Sequence, residues 1–178
     1  VVNFIEKSEE KDQREGEILF KQLVNEITIN NLDSSQVWSG FRVAKRAYPF
    51  DFQSLNSTDN LIISCSHGGY KRLKDPVIHR RSWNFASDSM TITDKLIGKF
   101  DSAKVHYFFH PDVQVNDNSN SFVMTLPNKV KCVLEISGGE ASLVETVWNS
   151  EFGKSVASIG LVINFTEDKI DCLISGYI

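Results

Sequence analysis

No apolar run in this sequence approaches the roughly 20 residues that a bilayer-spanning helix needs. The opening residues, Val1-Val2-Asn3-Phe4-Ile5-Glu6-Lys7, lack a basic stretch followed by a long apolar core, so they do not read as a signal peptide. A longer parent with a signal would work in the periplasm or cell envelope; one without it would work in the cytoplasm. The three cysteines, Cys65, Cys132 and Cys172, are odd in number and fit no metal spacing. Each sits in an apolar run and reads as a buried reduced thiol, with one disulfide plus a spare thiol as the alternative. There is no His-x-His or His-Glu-x-x-His pattern, no Gly-x-Ser-x-Gly elbow and no phosphate-cradling glycine loop, so neither a metal, a cofactor nor a nucleophilic serine is expected. The net charge of −4 argues against nucleic acid, which needs a broad basic face.

What is present is a string of short apolar runs. Residues 6–17 are nearly all charged or polar and read as a solvated N-terminal loop or linker, so residues 1–17 are set apart from a single domain over 18–178. Glu26 to Asn30 alternates with period two and ends in Asn30-Asn31-Leu32-Asp33, a turn. Further runs lie at Leu61–Cys65, Met90–Thr93, Val105–Phe109, Val113–Val115, Phe122–Leu126, Val130–Ile136, Ala141–Val147, Ile159–Phe165 and Ile170–Ile174. Asn116 to Asn120 reads as a loop, and Gly138-Gly139 and Glu167-Asp168 read as hairpin turns. No helical stripe lasts three turns between residues 20 and 178. The expectation is an all-β, two-layer antiparallel sandwich with little helix.

Charge is uneven along the chain. Residues 42–81 hold eight basic side chains (Arg42, Lys45, Arg46, Lys71, Arg72, Lys74, Arg80, Arg81) against Asp51, Asp59 and Asp75, a net +5 that leaves −9 elsewhere. Such a segment suits an anionic ligand, and it equally suits a solvated face. Arg80 and Arg81 are adjacent, so in a strand they point to opposite faces. All four histidines, His67, His79, His106 and His110, lie between residues 67 and 110. His106 and His110 are four apart and would share a face of one strand. Tyr70, after the tight turn Ser66-His67-Gly68-Gly69, is either a phenolic acid/base or a half-buried tyrosine at a sheet rim. No pair of carboxylates stands out.

Three stretches, in order, resemble the heparinase II/III-like family of polysaccharide lyases. They are Asp33-Ser34-Ser35-Gln36-Val37-Trp38-Ser39-Gly40-Phe41-Arg42-Val43-Ala44-Lys45-Arg46-Ala47, His67-Gly68-Gly69-Tyr70-Lys71-Arg72-Leu73 with His79-Arg80-Arg81 and Ile92-Thr93-Asp94-Lys95-Leu96, and Phe108-Phe109-His110-Pro111 with Trp148-Asn149-Ser150-Glu151-Phe152-Gly153. The resemblance implies a carboxy-terminal β-sandwich of a bacterial enzyme whose amino-terminal α/α-toroid forms the other wall of the cleft. Family members cleave uronic-acid-containing glycans, glycosaminoglycans among them, by β-elimination. An Asn, His or Arg neutralises the uronate, a Tyr or His removes the C5 proton, and a Tyr or His protonates the leaving oxygen.

The toroid supplies most of these groups, and it is not part of this sequence. The family's Ala-His-Asn-Thr stretch falls on Leu23-Val24-Asn25-Glu26, where only Asn25 matches, so the histidine that some relatives use to help hold a structural metal is replaced. The resemblance therefore implies no catalytic and no metal residue in this chain. Arg42, Arg46, His67, Tyr70, Arg80 and Arg81 are its candidate substrate-binding residues, for an acidic polysaccharide. The alternative is a non-catalytic binding or structural module. No nucleic acid and no membrane is expected as partner.

Overall fold

The computed structural model describes residues 26–37, 43–118, 121–151 and 154–176, the side chain of Ser150 excepted. The charged segment 6–17, the boundary at residue 17, and Arg42 lie outside the described residues.

Fourteen strands are described: β1 Ile27–Ile29, β2 Gln36–Val37, β3 Val43–Lys45, β4 Pro49–Asn56, β5 Leu61–His67, β6 Ile78–Phe85, β7 Ser89–Ile97, β8 Ala103–Phe108, β9 Gln114–Asn118, β10 Ser121–Thr125, β11 Lys131–Ser137, β12 Glu140–Glu151, β13 Lys154–Phe165 and β14 Lys169–Ser175. The one described helical element is the 3-10 turn Gly69–Arg72. Four strands form one sheet in the order β1-β8-β13-β12, and eight form the other in the order β4-β5-β6-β7-β14-β11-β10-β9. Both sheets are antiparallel, and β2 with β3 makes a separate two-stranded piece. The sandwich expected from the sequence is the fold found.

Period-two alternation explains how the layers meet. Ile27 and Ile29, Val105, and Leu161 and Ile163 point inward from the small sheet. Ile92 and Leu96, Ile170 and Cys172, and Cys132 and Leu134 point inward from the large one. Together they form one apolar cluster that removes these side chains from water. All three cysteines are free thiols. Burial raises the Cys172 thiol to about 11, so it stays protonated and inert.

Two of the expected hairpins are corners instead. Gly138-Gly139 joins β11 of the large sheet to β12 of the small one, and Glu167-Asp168 joins β13 to β14 in the reverse sense. Local turn chemistry does not distinguish a return to the same sheet from a step to the facing one. Gly138 has φ +97° and lies against the Lys169 carbonyl, so the first corner requires glycine. Of the loop expected at 116–120, Asn116 to Asn118 belong to β9 instead, and residues 119 and 120 lie outside the described residues. His110 lies beyond the end of β8 at Phe108, so it does not share a strand face with His106. It meets the Trp148 ring edge-on at 5.1 Å and Asp112 at 3.5 Å. β4, unread in the sequence, is exposed along its whole length and forms an edge of the large sheet.

Candidate functional site

The residues singled out between 67 and 81 gather where β5, β6 and β7 run side by side. Register places His67 opposite His79, Cys65 opposite Arg81, and Arg81 opposite Asp94. His67, His79, Arg81 and Asp94 therefore share the inner face. Asp94 is wholly buried, and His79 is 4% exposed. The Arg81 guanidinium grips the Asp94 carboxylate with two bonds, Nε to Oδ1 at 2.6 Å and a terminal nitrogen to Oδ2 at 2.9 Å. His79 Nε2 meets the same Oδ1 at 2.6 Å. Burial alone would raise the Asp94 carboxyl; the bonds from His79 and Arg81 overcome it and hold the group below the ordinary carboxylate range. Burial likewise opposes the Arg81 charge, and the Asp94 carboxylate restores it and raises the guanidinium further. The Tyr107 ring lies 6.0 Å from Arg81 on its far side.

The chain of bonds continues outward. His79 Nδ1 lies 2.9 Å from His67 Nε2, and the Gly69 N–H donates to His67 Nδ1 at 3.3 Å. These contacts fix the tautomers. His67 Nδ1 accepts from Gly69, so its Nε2–H donates to His79 Nδ1, and His79 Nε2–H donates to Asp94. His67 is held down to about 4 by burial first and by His79 and Arg81 next.

Tyr70 belongs to the same structure. It is fully buried, its ring lies 5.6 Å from that of His67, and its hydroxyl donates to the Ile27 carbonyl. Burial, with Glu26 and Asp33 nearby, pushes the phenol far above its usual value, so it is a tether between the turn and β1 and not a proton donor at neutral pH. Tyr70→Phe leaves that buried carbonyl without its donor. We expect a loss of about 1–3 kcal/mol in denaturant unfolding with the slope unchanged.

Arg80 points to the opposite face, as adjacency requires. Its guanidinium donates to Ser64 Oγ at 2.8 Å, Ser66 Oγ at 3.3 Å and Gln53 Oε1 at 2.9 Å, and it pairs with Asp51. It thus ties the exposed strand β4 to β5. Arg46 is exposed, just past β3. Of the six candidates, the described structure brings His67, Tyr70 and Arg81 together, places Arg80 behind them, and puts Arg46 at the surface.

A separate shallow cleft of about 160 Å3 lies on the small sheet and is lined by Glu26, Thr28, Asn31, Asp33, Lys104 and His106. Register sets Thr28 against Lys104, on the side away from inward Ile27 and Ile29. Burial first, then Lys104, lowers His106. Among the described residues no group of three or more His, Cys, Asp or Glu side chains is placed to hold a metal.

The comparisons with known proteins agree with this architecture. The family described as Heparinase II/III-like, C-terminal, matches residues 25–174. Among solved structures, heparan sulfate lyase HepC from Pedobacter heparinus matches with a TM-score of 0.73 at 12% identity, covering 98% of this chain and 27% of its own. The heparinase III BT4657 gene product matches with a TM-score of 0.70 at 15% identity, covering 96% of this chain and 26% of its own. At such identities the structural likeness speaks for the fold. The chain spans about a quarter of the length of these structures. No curated protein matches. With the family matched over most of its length, the chain belongs to the heparinase II/III-like family, as its carboxy-terminal β-sandwich domain.

Proposed function

We propose that this domain forms one wall of an acidic-glycan cleft in a polysaccharide lyase that eliminates across uronic-acid linkages, and that it is catalytically incomplete alone. Its partner in that reading is an amino-terminal α/α-toroid, which supplies the proton-transfer groups. The observation that carries the second half is the engagement of His67 and Tyr70. Both have chemistry suited to proton transfer, and both are turned into the sandwich as links in its own hydrogen bonding. The glycan class in this reading is heparan sulfate or a similar uronate polymer, after the heparan sulfate lyase HepC that the fold resembles.

The wall's contact with anionic sugar falls to the basic segment 42–81. Arg80 and Arg81 are committed to Asp51 and Asp94 and serve as supports for that wall. Arg46, exposed, and Arg42, on the same basic segment, are the direct contacts in this reading. A guanidinium fork donates two bonds to one carboxylate or sulfate. Exposed charge pairs contribute on the order of 1 kcal/mol each and are screened by salt. Titration with a heparan sulfate oligosaccharide should therefore give weak binding that fades at high ionic strength. Arg42→Ala and Arg46→Ala should each weaken it several-fold. Binding that ignores salt and both substitutions, or no binding at low salt, would leave the basic segment a solvated face.

A further inference from the structure

In the chain of bonds from Asp94 to Gly69, each imidazole donates through one ring nitrogen and accepts at the other. Asp94 accepts from His79, His79 from His67, and His67 from the Gly69 amide. Added charge has nowhere to go. A proton from solvent on His67 Nδ1 sets an N–H against the Gly69 N–H, and that bond is lost. A proton on His79 Nδ1 sets two N–H groups against each other between the rings.

The turn at the end of this chain holds another segment in place. Arg72 donates to the carbonyls of Asp33, Ser34 and Gly69, the Ser34 bond at 3.0 Å. Gly69 packs so closely against the Ser34 carbonyl and the Ala47 methyl that no side chain fits there. The Ala47 N–H donates to Ser35 Oγ at 3.1 Å. Residues 33–35 and Ala47 thus rest on the 69–72 turn, and Lys45 and Arg46 sit on the chain just before Ala47.

We propose that the Asp94–His79–His67–Gly69 chain is an acid-released latch, which holds the 69–72 turn and the 33–35 segment in place at neutral pH and lets them open when one proton is added to the histidine pair. His67 is the entry point, because it alone among the chain's titratable side chains is partly exposed. Among the described residues, Glu26 and Asp33 act on the adjacent Tyr70 phenol, and the other groups come from the strands and the turn. β6 brings His79 and Arg81, and β7 brings Asp94. The turn brings the buried Tyr70 phenol, Lys71 over the Phe50 ring at 5.2 Å, and Arg72. β8 and β14 bring Tyr107 and Cys172 behind Arg81. β4 sets Pro49 opposite His67, and its acid, Asp51, turns to Arg80. Among the described residues Asp94 is the carboxylate that acts on the pair, and Arg81 already neutralises it, so the extra charge is uncompensated. The sign follows: the closed latch binds fewer protons than the open one, so acid favours opening. Burial that holds His67 near 4 against 6.5 when free sets the window between those values.

Amide hydrogen exchange on the chain, corrected for the intrinsic pH dependence of exchange, tests the latch. Protection at Gly69 and Leu73 should fall on the order of a hundredfold between pH 6.5 and 4, while Leu161 and Ile163 in β13 hold theirs. In His67→Gln the 69–73 amides should lose this pH dependence. Should that variant not fold, the ring-carbon chemical shift of His67 in the unaltered chain gives the same answer. Its protonation must coincide with loss of protection at Gly69. Protection that stays flat across the window, that falls equally in His67→Gln, or that persists after His67 is protonated overturns the latch.

Discussion

Asp94→Ala is expected to destabilise the domain by about 3–5 kcal/mol, the loss typical of a buried ion pair deprived of one partner. The substitution removes the whole carboxylate group, and its main effect is electrostatic. Arg81 would keep its charge at a largely buried position with the grip on both carboxylate oxygens gone. His79, 4% exposed, would lose the acceptor for Nε2–H. Asp94→Asn is the informative companion. It keeps an acceptor for one donor but no charge, and should lose less than alanine does. Chemical unfolding of both variants, with unchanged denaturant slopes, is the measurement. Equal and small losses, below about 1 kcal/mol, would mean that the pair is not buried as described.

Ile163→Ala is expected to cost about 2–5 kcal/mol, whereas Val162→Ala, one residue away, should cost under about 1.5 kcal/mol. Ile163 is fully buried in the seam between the sheets and faces Val105 on one side and Ala141 on the other. Val162 stands on the outward face opposite His106 and Ser142 and is half-buried. A one-residue slip of β13 would exchange the two faces, so the contrast between neighbours reads register directly. Comparable losses at both positions would contradict the pairing of β13 with β8 and β12.

Much of this sandwich is legible in the residues. Met90-Thr91-Ile92-Thr93 and Ile170 to Ile174 alternate because one face is wet and the other dry, and both are strands. Asn30 and Asn31 turn the chain with positive φ, as asparagine tolerates. What local pattern does not carry is sheet membership: Gly138-Gly139 looks the same whether the chain returns to its own sheet or crosses to the other. In β4 the alternation Phe50-Asp51-Phe52-Gln53 breaks at Ser54-Leu55, so the run is too short to stand out, and all of it is exposed.

The site was half legible for a similar reason. Adjacency put Arg80 and Arg81 on opposite faces, and so they are. Asp94 did not stand out as one of 23 acids. A signal for it was present nonetheless. Met90, Ile92, Asp94 and Leu96 occupy the same face of one period-two run, and an acid on an otherwise apolar face requires a buried cation. That cation is Arg81, and the register of β6 against β7 is what brings the two opposite each other. His67 and Tyr70 stand among the candidate substrate-binding residues of the sequence. Their partners, His79 and the Ile27 carbonyl, lie 12 and 43 residues away and are visible only once the sheets are formed.

The proposal that this wall lacks the proton-transfer groups of a complete lyase has a direct test in the absorbance of the unsaturated uronate that β-elimination creates. The chain alone, incubated with heparan sulfate at neutral pH, should produce no growth of that absorbance. Steady growth that is abolished by His67→Gln or Tyr70→Phe in a folded variant would contradict the account, because it would place the chemistry within this domain.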